Sequence, residues 1–153
     1  VLRHIGRTQQ LYGATATDAA RVDQIVEILI ELRTEFYKMT YAPESEFASM
    51  KKSFADVSLP YYYGSIEKFM TAGKTKYAAA DVVTIADFVL VDQMQLAAQV
   101  YGGDRATFGE YPALLAYLQD FVAMPELKTW YASESFKLPA NAPGANFSAA
   151  ASL

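Results

Sequence analysis

The sequence predicts an all-α fold, on three observations. Apolar residues recur three and four positions apart over long stretches, the mark of helices with one buried face. Gly13, Pro112 and Pro125 stand where helices would close or open. No stretch alternates apolar and polar residues with the period of two that a half-buried strand needs. The chain has 153 residues, 52% hydrophobic and 20% charged, enough for one domain with a substantial core.

Taken in order, Val1 to Thr8 reads as the later turns of a helix, with no Ser, Thr, Asp or Asn ahead of it to cap a start. Leu11-Tyr12-Gly13 is expected to close that helix, Gly13 supplying the residue a left-handed helix end favours. Thr15-Ala16-Thr17-Asp18 opens a second helix, which runs to about Tyr41 on a stripe of Val22, Ile25, Val26, Leu29, Leu32 and Phe36. Pro43 to Glu46 is a short loop. A third helical region follows from Phe47 to Met70, with a break expected near Leu59-Pro60 because proline lacks a backbone donor. Ala72 to Ala80 is a loop of mostly small residues, and the preceding Tyr61, Tyr62 and Tyr63 serve packing or surface.

Thr84-Ile85-Ala86-Asp87 is the clearest local motif. Threonine at the cap and a carboxylate three residues on can satisfy each other's amides, and Val83 and Phe88 stand at the positions of a hydrophobic staple. The helix beyond, to about Tyr101, is apolar nearly all round and belongs in the centre of the domain. Pro112 and Pro125 each suit a first helical position and start helices at Ala113–Ala123 and Glu126–Ala132. From Phe136 the pattern stops in a tail with Pro139, Pro143 and a run of alanines.

Composition excludes several functions. Against 17 acidic residues stand 13 basic ones, for a net charge of −4. With no basic run of five, neither nucleic acid nor a membrane surface is an expected partner. There is no cysteine, hence no disulfide, thiolate zinc site or cysteine nucleophile. A single histidine, His4, leaves no metal site needing two imidazoles, so no metal is expected. Apolar runs fall well short of the ~18 residues of a membrane helix. Gly102-Gly103-Asp104 is a turn, not a phosphate loop, and Asp81 and Asp87 suit loop and capping roles better than paired acid–base chemistry.

Two charge stripes remain. Arg3 and Arg7 lie one turn apart on the first helix, and Asp23, Glu27 and Glu31 repeat that spacing on the second, away from its apolar face. The plain reading is solvated surface. The sharper one pairs the stripes across the two-fold axis of a homodimer, where exposed pairs worth ~0–1 kcal/mol set register more than affinity.

These residues carry a resemblance. Val1-Leu2-Arg3-His4-Ile5-Gly6-Arg7-Thr8, Leu11-Tyr12-Gly13 and Arg21-Val22-Asp23 resemble the junction helix and following helix of cytosolic glutathione transferases, closest to the pi class. Thr84-Ile85-Ala86-Asp87 is similar to the capping box of that family's second domain. Tyr111-Pro112-Ala113-Leu114-Leu115-Ala116-Tyr117 with Met124-Pro125-Glu126-Leu127-Lys128 resembles its next two helices, and Phe136-Lys137-Leu138-Pro139 its tail.

The resemblance implies the C-terminal helical bundle of a two-domain cytoplasmic enzyme, with the thioredoxin-like glutathione-binding domain lying upstream of Val1. It implies the end of the junction helix at residues 1–12, the helical domain at 13–140 and an extended tail at 141–153. It also implies a detoxifying homodimer that joins the thiolate of its co-substrate glutathione to small electrophiles, with no catalytic residue in these residues themselves. By matching position, Glu31 stands where an acid reaches the partner subunit's glutathione, and Tyr41 where a hydroxyl contacts substrate, with Tyr37 a turn earlier. Arg3, Arg7, Asp23 and Glu27 fall on cross-dimer ion-pair positions. Two departures bear on substrate range: Glu31 is one methylene longer than the usual Asp, and Ala80 replaces a common Gly. Two other functions fit an all-α chain: a non-catalytic scaffold module of the same fold, and a carrier of apolar molecules between helices.

Overall fold

A computed structural model describes residues 1–138, 141, 142 and 144–146; Pro139, Pro143 and the expected alanine tail at 148–153 lie outside the described residues. The described secondary structure is helical throughout, as the periodicity predicts: α1 (Leu2–Thr8), α2 (Ala16–Thr40), α3 (Glu44–Ser53), a π-helical turn (Phe54–Ser58), α4 (Leu59–Gly73), α5 (Ile85–Tyr101), α6 (Asp104–Phe108), α7 (Pro112–Val122), a 3-10 turn (Pro125–Leu127) and α8 (Lys128–Tyr131).

The long helices α2 and α5 pack together as the central pair, and the others wrap them. The predicted stripe of α2 is the face that goes inward: Val22, Ile25, Val26, Leu29, Leu32 and Phe36 are all buried. Helix α5 buries residues on most of its circumference, from Ile85 and Ala86 through Leu90, Met94 and Ala97. Its starting end is held by α1. Gly6 comes so close that a methyl group there would stand 2.8 Å from the Ile85 side chain and 2.9 Å from Tyr12. The Ile85 amide donates to the Leu11 carbonyl at 2.9 Å.

Asp87 is fully buried and its carboxylate is completely satisfied. Oδ2 accepts from the Thr84 amide at 2.7 Å and the Thr84 hydroxyl at 2.8 Å, completing the expected capping box. Oδ1 reaches beyond its own helix. It accepts from the Ala78 amide at 2.8 Å and the Tyr117 hydroxyl at 2.6 Å, joining the loop before α5 to α7. Thr15 and Asp18 form a second capping box at the start of α2.

Several boundaries move, each for a local reason. The first helix ends at Thr8, not at Gly13, because Gln10 takes the left-handed conformation (φ 58°) and the Leu11 amide turns back to the Gly6 carbonyl at 2.7 Å. Gly13 is left-handed (φ 80°) for another reason: a β-carbon there would collide with the Asp18 side chain that caps α2. The loop after Pro43 is shorter than expected, since Pro43 is itself the cap residue of α3. The break expected near Leu59-Pro60 is absorbed by the π-helical turn. That turn places Pro60 in the first turn of α4, where its missing donor has no intrahelical partner to lose. Helix α4 runs on to Gly73, and α6 forms after the Gly102-Gly103 turn, where no helix was expected.

Removing the Asp87 carboxylate strands the Ala78 amide and the buried Tyr117 hydroxyl together. Asp87→Ala is expected to cost about 3 kcal/mol or more, and Thr84→Ala about 1 kcal/mol, in urea unfolding. Equal losses for the two variants would show that Asp87 does no more than cap α5.

Candidate functional site

The residues singled out for function fall into two groups, which lie along α2 and on the face of α1 that meets it. At the C-terminal end of α2, Tyr37 and Tyr41 are 42% and 47% exposed, so the sequence places two large rings at the surface one turn apart. Their ring centroids lie 6.1 Å apart at 61°, and Tyr37 leans on the buried Phe36 at 6.4 Å. The structure thus brings together the two tyrosines that the resemblance picks out.

The C-terminal segment closes over this end of α2. The Ala142 amide donates to the Tyr41 hydroxyl oxygen at 3.2 Å. The Asn146 backbone amide donates to the Thr40 carbonyl at 2.9 Å, and its side-chain nitrogen to the Ala42 carbonyl at 2.6 Å and the Thr40 carbonyl at 3.2 Å. Carbonyls of a last helical turn have no partner within the helix, so a returning segment that supplies donors docks there readily. These contacts join residues about a hundred positions apart, and no local pattern announces them.

Glu31 is separate from the tyrosines. Ten residues before Tyr41, it sits about 15 Å back along the helix, exposed and without an ion-pair partner among the described residues. Its nearest marked influence is on Tyr62, whose hydroxyl pKa is raised by burial first and by the charges of Glu31 and Glu35 next.

The second group is the charge stripe. Arg3 donates through Nε to Asp23 Oδ1 at 2.9 Å and through Nη2 to Glu27. The Tyr12 hydroxyl donates to the same Asp23 oxygen, and the Arg7 guanidinium lies 4.8 Å over the Tyr12 ring. The sequence offered these charges for pairing between subunits; the structure pairs Arg3 with Asp23 and Glu27 inside one chain, stapling α1 to α2. Tyr12 is the member that sequence reasoning missed, its only signal being a tyrosine next to the Gly13 turn. The hydrogen bond from Tyr12, then that from Arg3, holds the Asp23 carboxyl below its ordinary range.

Other expectations take their places. His4 is exposed, and Asp81 accepts from the Lys76 amide at 3.0 Å in a loop role. Of the three consecutive tyrosines, Tyr63 is buried and Tyr61 exposed. Among the described residues no helix is long and apolar enough to cross a membrane, and no group of three or more His, Cys, Asp or Glu side chains is placed to hold a metal.

Comparison with known proteins identifies this architecture. The family model described as glutathione S-transferase, C-terminal domain, matches residues 30–134. The chain is 31% identical to glutathione S-transferase P of Pongo abelii over 151 residues, covering 94% of the chain and 67% of that relative. With the human glutathione S-transferase P it shares 30% over 151 residues, at the same coverage. Among solved structures, a pi-class glutathione S-transferase of Onchocerca volvulus superposes with a TM-score of 0.79 at 22% identity, covering 95% of this chain and 68% of that one. The glutathione S-transferase Blo t 8 superposes with a TM-score of 0.84 at 19% identity, covering 95% and 67%. The chain belongs to the glutathione S-transferase C-terminal domain family and spans about two thirds of the length of the curated relatives it matches. The matched segment contains Glu31, Tyr37, Tyr41, Thr84 and Asp87, whereas Arg3, Arg7, Asp23 and Glu27 precede it.

A carboxylate whose pKa is lower folded than unfolded adds stability above its unfolded-state pKa, about 4, and loses it as pH falls through the folded-state value. Wild type is therefore expected to exceed Asp23→Asn in stability at neutral pH, with the gap narrowing below about pH 4. Urea unfolding across pH tests this. A gap unchanged at the acid end would mean that the charge of Asp23 contributes nothing.

Proposed function

We propose that this member of the glutathione S-transferase family is the helical part of a cytoplasmic, homodimeric enzyme that joins the glutathione thiolate to small electrophiles. Residues 1–12 end the junction to a thioredoxin-like glutathione-binding domain, 13–140 form the helical domain, and 141–153 are its tail. The observation that carries this reading is the pair of half-exposed tyrosines at the end of α2. Burying both rings would be the ordinary fate of residues beside this core. Their exposure leaves an aromatic surface for an apolar substrate and a hydroxyl at its edge.

Chemistry assigns the roles. Thiolate addition to an activated double bond or ring builds negative charge on the electrophile, and a hydroxyl aimed at that charge stabilises the transition state more than the ground state. Tyr41 is the donor, and Tyr37 lines the same surface. Glu31, without an ion-pair partner among the described residues, is the acid that reaches the ammonium or amide groups of glutathione bound by the partner subunit. Arg3, Arg7, Asp23 and Glu27 form the dimer contact as a prebuilt cluster presented at the edge of the interface.

The test is conjugation by the protein carrying its glutathione-binding domain together with these residues. Tyr41→Phe is expected to lower kcat by on the order of 10²-fold for electrophiles that develop an oxyanion, leaving KM for glutathione unchanged. Glu31→Gln is expected to raise that KM about tenfold, the loss of one charged hydrogen bond, leaving kcat little changed. Unaltered kinetics in either variant removes that residue from the site. An intact protein that neither binds nor conjugates glutathione would instead make this fold a scaffold.

A further inference from the structure

A cavity of 630 Å³ lies where two helices end, between the last turn of α5, the Gly102-Gly103 turn and the last turn of α7. The transferase reading leaves this turn unused, and none of Glu31, Tyr37 or Tyr41 lines the cavity. Gly102 and Gly103 both take positive φ (91° and 107°). A β-carbon on either would meet nothing within 4 Å, so the rim is open.

The walls carry charge of one sign. Carbonyls in the last turn of a helix lack intrahelical partners, and the macrodipole puts partial negative charge at that end. Two such ends converge here, of helices 17 and 11 residues long. Helix α6 starts at the same wall, but with five residues it is too short to oppose them with a comparable dipole. Asp104 adds a full negative charge. It forms no ion pair among the described residues, and burial raises its carboxyl pKa.

Gln99 adds a further acceptor, since its Oε1 is buried without a hydrogen-bond partner. Leaving such an atom unmatched is costly, and folded proteins seldom do so. No lysine or arginine lines the cavity to answer either group. The other amide side chain on the wall, Gln95, acts on Tyr131, whose hydroxyl pKa burial raises and Gln95 then lowers.

The remaining surface is aliphatic, built from Ala98, Leu118, Val122 and Ala123. Such walls fit a positive head with N–H donors and a hydrocarbon arm. One carboxylate is too few for a calcium or magnesium ion, which takes about six oxygen ligands or more. No aromatic ring lines the cavity, so nothing there cages a quaternary ammonium.

We propose that this cavity binds a primary alkylammonium ion, its N–H groups donated to Asp104 and Gln99 and its hydrocarbon arm laid on Leu118 and Val122. Two helix ends and one carboxylate select the cation, and the buried amide oxygen selects a head that can donate. The site is independent of the transferase reading, because it shares no residue with the tyrosine surface.

The probe is 2-phenylethylammonium, titrated into the protein by calorimetry. The expected result is saturable binding at one site that survives excess S-hexylglutathione. Trimethyl(2-phenylethyl)ammonium has the same charge and ring but no N–H, and is expected to bind about tenfold more weakly. Nα-acetyl-lysinamide, which offers the same head as a protein side chain would, is expected to bind as weakly, because its stem has no free apolar end. Asp104→Asn is expected to lower the affinity for 2-phenylethylammonium about tenfold, and Gln99→Glu, which adds a second carboxylate, to raise it. Asp104 is exposed, so Asp104→Asn is expected to melt with wild type. Absence of binding, equal affinity for the quaternary ion or for the lysine amide, unchanged affinity in Asp104→Asn, weaker binding in Gln99→Glu, or displacement by S-hexylglutathione would each overturn the assignment.

Discussion

One buried carboxylate organises this domain. Placing Asp87 in the interior carries a large desolvation cost, and the fold offsets it with four hydrogen bonds from three segments. Two of these donors belong to the cap of α5, and they set where the central helix starts. The other two come from Ala78 and Tyr117, so the same charge also fixes the loop before α5 and the inward face of α7. Burial first, and then this carboxylate, raises the pKa of the Tyr117 hydroxyl, keeping it a neutral donor throughout the ordinary pH range. A capping box on an exposed helix is a local device; here it is where three segments meet.

The second constraint is α2, which serves three surfaces with one helix. Its apolar stripe faces the core, its acidic stripe binds α1, and its C-terminal end presents Tyr37 and Tyr41. The acidic stripe divides on inspection of its partners. Asp23 and Glu27 both pair with Arg3, so their charge is partly compensated within the chain. Glu31 has no such partner among the described residues.

Most of the architecture was legible in the sequence because helices announce themselves locally. The stripe of α2, the all-round apolar α5 and the two Thr-x-x-Asp boxes needed only periods and caps, and each forms where expected. The errors share a cause: the outcome was decided by a distant segment or by one residue's backbone. Gln10 ended α1 early, and a π-helical turn moved Pro60 to a harmless place. Helix α6, five residues long, carries too little pattern to detect. For the site, the resemblance located the tyrosines but not what surrounds them. Nothing near Asp23 in sequence indicates that Arg3 and Tyr12 meet there, and nothing near Tyr41 indicates that Ala142 reaches it.

That last contact bears on what Tyr41 can do. A phenolic oxygen has lone pairs to accept with and one proton to donate. The Ala142 amide occupies the accepting side at 3.2 Å, and on the role proposed for Tyr41 the proton would go to substrate. An accepted hydrogen bond also draws density toward the oxygen, and polarised chains of this kind act cooperatively. The ring meanwhile packs against that of Tyr37. On the role proposed for Tyr41, the Ala142 contact would favour presenting the proton to a developing charge. The segment that satisfies the last carbonyls of α2 through Asn146 also reaches the hydroxyl at its end through Ala142.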